Sequence, residues 1–146
     1  MRAFTAAAVQ VAPAPGPLSP ATVKANLAAC ADLAERCVAA TEAELVVLPE
    51  TATTGYTTGL DPDALWDLVS EVPGPVTEPL PEAAARLRAH LVAGTYERGP
   101  ERGTVHNTAV LIGPSGDVLG RYRKTHVFYL EDRDAGGWVT RGDQAV

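Results

Sequence analysis

The chain predicts an α/β fold, and three observations carry that reading. Four consecutive apolar residues, Leu45 to Leu48, run into turn-formers, the pattern of a short strand covered on both faces in a parallel sheet. A long stretch with apolar residues at helical spacing precedes it, and two strand-like runs joined by a Gly/Pro-rich turn follow it. At 146 residues the chain matches a single domain, with 46% apolar and 21% charged residues. The net charge of -6, with no basic run beyond Arg121, Arg123 and Lys124, argues against nucleic acid or an anionic membrane as partner. No apolar run approaches the ~20 residues of a membrane span, and the first residues lack the pattern of a signal peptide, so a soluble, cytoplasmic protein is expected.

Taken in order, Phe4 to Val11 reads as a strand, closed by the rigid Pro13-Ala14-Pro15-Gly16-Pro17 turn. A dinucleotide-binding domain would carry a GxGxxG turn here, and this one does not. Ser19-Pro20 opens a helix, with Ser19 as N-cap and proline in the first turn, where its missing N–H costs nothing. Val23, Leu27, Cys30, Ala34, Cys37 and Val38 form its apolar face. Seven residues of helix separate the two cysteines by roughly 10 Å, too far for a disulfide. Without histidines at ligand spacing they form no metal site either, so both read as small buried hydrophobes in a reduced compartment. Past the central strand, Thr51 to Gly59 is almost entirely Thr and Gly around Tyr56, suited to a pocket wall or an exposed connection. Asp61-Pro62-Asp63 opens a second helix running through Trp66 and Val69, with Trp66 read as core; Pro73-Gly74-Pro75 breaks it. A third helix is expected over Thr77 to His90, a strand over Leu91 to Thr95, and a loop over Thr95 to Thr104. His106 to Ile112 and Val118 to Lys124 then form a hairpin about Gly113-Pro114-Ser115-Gly116-Asp117.

Two residues stand out as candidates for chemistry. Pro49 lacks an N–H and ends the central ladder, so Glu50 stands just past the carboxyl end of a strand, where open α/β sheets place their ligands. A solvated loop glutamate has the same sequence context. In the last strand, alternation places Val118, Gly120, Tyr122 and Lys124 on one face and Leu119, Arg121 and Arg123 on the other. The arginines mark a solvated or salt-bridged face, which sends Lys124 inward at the strand's end; a solvated terminal lysine is the alternative. A carboxylate and an ammonium together supply a base and an oxyanion stabiliser, two of the three parts of an acyl-transfer site. A nucleophile is not apparent: the cysteines lie on the first helix, and no Gly-x-Ser-x-Gly elbow occurs.

Several motifs, in order, resemble the amino-terminal part of the nitrilase-like carbon–nitrogen hydrolases, the superfamily of amidases, nitrilases and carbamoylases. They are Ala8-Val9-Gln10, Val47-Leu48-Pro49-Glu50 with Thr54-Gly55-Tyr56, Pro73-Gly74-Pro75, His106 to Ile112, Gly120 to His126, and Trp138 to Asp143. The resemblance implies part of a four-layer α-β-β-α sandwich, residues 1–146 forming the amino-terminal portion of one domain. It implies that Glu50 is the general base and Lys124 the support of the tetrahedral intermediate in a Glu-Lys-Cys triad. Glu131 is placed like the second glutamate that orients substrate and base, and Tyr56 joins it as a substrate-orienting residue. An exposed turn carboxylate is the other reading of Glu131. The triad's cysteine would lie beyond Val146, so the chain is expected to be truncated before the nucleophile strand and inactive alone. A small-molecule amide is the implied substrate, without cofactor or metal, and Glu50 to Tyr56 is similar to the amidase branch. The implied assembly is a homo-oligomer or a complementary chain supplying the cysteine. An inert, truncated or split-gene subunit that binds a partner is the alternative.

Overall fold

The computed structural model describes residues 2–56 and 59–143. Its centre is a five-stranded sheet whose spatial order follows the sequence. Strands β1 (Ala6–Ala8), β2 (Leu45–Val47) and β3 (His90–Arg98) run parallel, while β4 (Val105–Ile112) and β5 (Val118–Arg123) complete an antiparallel meander. Helix α1 (Pro20–Thr41) begins as its sequence dictates: the Ser19 side chain accepts from Thr22 N while Thr22 reaches back to the Ser19 N–H. Helices α2 (Pro62–Leu68) and α3 (Pro79–Leu87) also start at prolines, and Asp61 caps α2. The β1 strand is shorter than the Phe4 to Val11 run predicts, since its alanines give little surface to pair and pack. The helix expected over Thr77 to His90 stops at Leu87, where Arg88 turns left-handed.

The parallel setting of β2 is as expected, its cover on both faces is not. Val46, Leu91, Ala93, Val110 and Ile112 pack against Val23, Leu27, Cys30 and Ala34 of α1 and Leu80, Ala83 and Ala84 of α3. On the opposite face Leu45, Val47, Val92 and Ala109 are only half-buried, and Leu111 and Tyr122 are each 37% exposed. A run of four apolar residues does not distinguish one covered face from two. Cys30 lies in the core, but Cys37, near the end of α1, is only partly buried. A second, smaller cluster joins Leu65 and Val69 to Tyr96, Val105, Trp138 and Val139; Trp66 packs at its edge, its indole N–H donating to Gly99 O at 3.0 Å.

Two further differences trace to β3 and β5. Thr95 to Arg98, expected in a loop, continues β3 in full register with Val105 to Thr108. Glu97 is buried there because β5 brings two guanidinium groups to it. Arg123 donates to it at 2.7 and 3.0 Å, Arg121 at 2.9 Å, and Thr108 Oγ1 at 2.7 Å. In β5 strict alternation fails at Leu119. Ile112 pairs with Val118 but Leu111 pairs with Gly120, so Leu119 is an unpaired bulge residue. Val118 therefore joins the helix-side core with Arg121 and Arg123, while Gly120, Tyr122 and Lys124 face the open side.

Burial alone would push the Glu97 carboxyl up, but hydrogen bonds from Arg123 and Thr108, and the two guanidinium charges, outweigh it and hold the carboxyl below its ordinary value. Ionised Glu97 thus stabilises the fold above the ordinary carboxylate pKa, and that contribution is lost as pH falls through the depressed folded-state value. Because its arginines can still reach water, Glu97→Ala is expected to cost about 3 kcal/mol at neutral pH, the low end for breaking a buried pair. Urea titrations of both proteins at about pH 7 and about pH 4 check this: the difference should shrink in acid.

Candidate active site

Glu50 leaves β2 at its carboxyl end and is held there by close backbone packing. Leu48 N–H donates to Val92 O at 2.8 Å, and Gly94 N–H to Pro49 O at 3.2 Å. Gly94 is required for this approach, since a Cβ on it would lie 2.6 Å from Glu50 Cα, Pro49 O and Thr51 N. The next residue, Thr51, is buried with φ of 50°, a conformation a β-branched residue adopts only under constraint. Its carbonyl closes the turn by accepting from Thr54 N at 3.1 Å and Gly55 N at 2.7 Å. A strained backbone residue therefore stands directly beside Glu50.

Lys124 follows β5 directly. Its N–H donates to Asn107 O at 2.8 Å, and its carbonyl accepts from Gly142 N at 2.9 Å, so the chain is clamped on both sides. Because of the bulge, its side chain rises on the face where Glu50 crosses Gly94. Lys124 Nζ donates to Glu50 Oε1 at 2.7 Å, with 26% and 52% of the two side chains exposed. Asn107 Nδ2 donates to the same oxygen at 2.6 Å. Burial raises the Glu50 carboxyl, but the hydrogen bonds from Lys124 and Asn107 and the Lys124 charge hold it below the usual carboxylate value. Desolvation would lower Lys124; its bond to Glu50 and the charges of Glu50 and Glu131 raise it instead. At neutral pH the pair is therefore ionised, with the carboxylate in its proton-accepting form.

Glu131 is not an exposed turn carboxylate but 1% exposed, with Oε2 at 3.7 Å from Lys124 Nζ and without a hydrogen-bond partner among the described residues. The turn that buries it is tight: its N–H donates to Phe128 O at 2.9 Å and its carbonyl accepts from Val139 N at 2.7 Å. Gly137 packs directly on the Glu131 carbonyl, leaving no room for a side chain there. Tyr56 stands at the rim, half-exposed, its ring edge-on to Trp138 at 6.5 Å. Desolvation and then the Glu131 charge push its phenol up, so it remains a neutral donor. Thr57 and Thr58, in the stretch read as a pocket wall, lie outside the described residues.

Glu50, Lys124, Glu131 and Tyr56, chosen from sequence, are thus brought to one place. Asn107 falls within the His106 to Ile112 motif, which by itself gives it no role. The signal that could have found it is an amide residue inside a strand run, one position type that β-structure disfavours, on the same alternation as Ala109 and Leu111. Chemically, the cluster joins an ionised base to an ammonium that can meet a developing negative charge, and adds a buried carboxylate oxygen with capacity to accept a hydrogen bond. Cys30 lies elsewhere, on the helix side against Ala52 O, and burial pushes its thiol up to about 11, away from nucleophilic character.

Solved structures share this arrangement of strands and helices. A carbon-nitrogen hydrolase from Helicobacter pylori G27 superposes with a TM-score of 0.75 at 24% identity, over 96% of this chain and 45% of that one. An amidase from Nesterenkonia sp. superposes with a TM-score of 0.69 at 24% identity, over 99% and 51%. These establish an α/β fold of the nitrilase type. The sequence profile of the carbon-nitrogen hydrolases matches residues 5–141, and the chain belongs to that family. A nitrilase of Pyrococcus abyssi is 38% identical over 90 residues, 61% of this chain and 33% of its own length. A formamidase of Bacillus cereus is 36% identical over 84 residues, 56% of this chain and 24% of its own. The chain therefore matches only a part of the length of these relatives. No helix among the described residues is long and apolar enough to cross a membrane.

Proposed function

We propose that the whole protein hydrolyses a non-peptide C–N bond of a small amide, with Glu50 as base and Lys124 as oxyanion support. The observation that carries this is the 2.7 Å contact between Lys124 Nζ and Glu50 Oε1, with Glu131 buried beside it. The nucleophile is a cysteine from outside these 146 residues; the position of Cys30 and the partial span of the relatives support that assignment. Glu50 takes the thiol proton as sulfur attacks the amide carbon, and the carbonyl electrons collect on oxygen, where Lys124 donates to them. Collapse expels the amine, which leaves with the proton from Glu50. Water then gives a proton to Glu50 and attacks the thioester, and the departing thiolate takes that proton back. Glu131 orients the substrate through its open Oε2 acceptor, and Tyr56 stands beside it at the rim. The two unpaired cysteines accord with a cytoplasmic setting.

The test is ammonia release from a panel of small amides, ureido compounds and nitriles by the protein extended to the length of its relatives. Amide turnover abolished by thiol alkylation is expected, with none from the 146-residue chain alone. Turnover that survives alkylation, or none from a folded extended protein, would sink the proposal. The half-exposed Leu111 and Tyr122 favour a second reading, in which this is an inert subunit whose open sheet face binds a partner chain or another copy.

A further inference from the structure

Asn107 touches both members of the ion pair. Its side-chain amide donates to Glu50 Oε1 at 2.6 Å, and its carbonyl accepts the Lys124 N–H at 2.8 Å. It is 4% exposed, fixed in register opposite Tyr96 on β3. Glu50 Oε1 thus holds two donors, Asn107 and Lys124, while no described residue hydrogen-bonds Oε2. The two donors differ in kind. Lys124 favours the carboxylate through its charge, and when it turns to a developing oxyanion that favour is withdrawn. The Asn107 amide is uncharged, so it can donate to Oε1 whether Oε2 is bare or protonated.

We propose that Asn107 is a positioning residue of this site: it fixes the Glu50 carboxyl so that Oε2 carries the transferred proton, and holds it while Lys124 engages the oxyanion. This rests on the hydrolase reading above, which supplies the proton transfer and the oxyanion. It also explains why a side chain with a costly amide is buried in β4, where an apolar residue would pack without needing a partner.

The test uses Asn107→Ala and the isosteric Asn107→Asp in the extended protein, read by the pH profile of kcat/KM and by carbon-13 NMR titration of the Glu50 carboxyl. Losing the amide donor is expected to move the Glu50 titration and the acid limb of kcat/KM to higher pH together. In Asn107→Asp the shift should be larger, because a second carboxylate faces the first. Misplacement of the base is expected to lower kcat about 10- to 100-fold, with KM nearly unchanged. A purely structural role would alter stability and leave the Glu50 titration where it is. Unmoved titration in folded Asn107→Ala, with wild-type turnover intact, overturns the assignment; if that variant does not fold, the uncharged and similar-sized Asn107→Leu decides by the same titration. Absence of wild-type turnover while the Glu50 titration still moves overturns the hydrolase reading and supports the Asn107–Glu50 coupling, so the two failures are distinct.

Discussion

If the proposed hydrolysis is correct, Glu50→Gln is expected to lower kcat of the extended protein by about 10³-fold, within the range general-base removal produces. Glutamine has the same length, and its carbonyl can still accept from Lys124 and Asn107, so the ground-state arrangement and KM should change little. What disappears is the ability to take a proton. The wild-type pH profile should carry the same signature. Because its neighbours hold the Glu50 carboxyl below the usual carboxylate value, the base is already ionised at neutral pH. Activity is then expected to rise with pH only through that depressed value and to stay level toward neutrality, and Glu50→Gln should erase the acid limb. Initial rates of ammonia release across pH measure both effects. A glutamine variant with near-normal kcat would remove Glu50 from the role of base.

The second large effect is expected at Lys124. Lys124→Met keeps most of the stem and removes the ammonium, and the loss of one oxyanion donor is expected to reduce kcat by about 10²- to 10³-fold. Stability should hardly respond. With half of Glu50 and a quarter of Lys124 exposed, their pair is screened by water, and such pairs contribute at most about 1 kcal/mol. Glu50 should at the same time titrate at higher pH, since the cation that favours its charged form is gone. Lys124→Arg keeps the charge but replaces a compact ammonium by a planar fork, so only partial recovery is expected. Thermal melts beside single-turnover rates separate the two readouts. A variant that loses stability and rate in parallel would assign Lys124 a structural role.

Local rules made much of this legible in the sequence. Ser19 and Asp61 announce their helices because capping needs only a side-chain oxygen three residues from an N–H. The place of Glu50 follows from an apolar run and a proline that ends it, and the Gly113 to Asp117 turn fixes which strand Lys124 ends. What escaped is set by partners distant along the chain. Glu97 lay in a polar stretch that resembles a loop, and only the arginines of β5 make its burial affordable. The hydrogen bond from Asn107 to Glu50 depends on β4 lying two strands from β2, a neighbour relation no local pattern encodes. The open second face of the sheet is likewise invisible to a strand's own periodicity.

The bulge at Leu119 makes this hairpin sensitive to length in a way it is not sensitive to composition. Counting forward from Val118 without it, strict alternation would put Lys124 on the helix side and turn Arg123 toward Glu50. A single-codon insertion between Gly120 and Arg123 that keeps the bulge would exchange the two cations, leaving Glu97 buried beneath a lysine set in the wrong place and Glu50 facing a guanidinium, whereas deletion of Leu119 would close the bulge and keep both cations on their faces. Exchanges of side chain at Leu119, itself exposed, leave that arithmetic untouched. Along this strand the tally of residues, more than their identity, keeps the lysine on its side of the sheet.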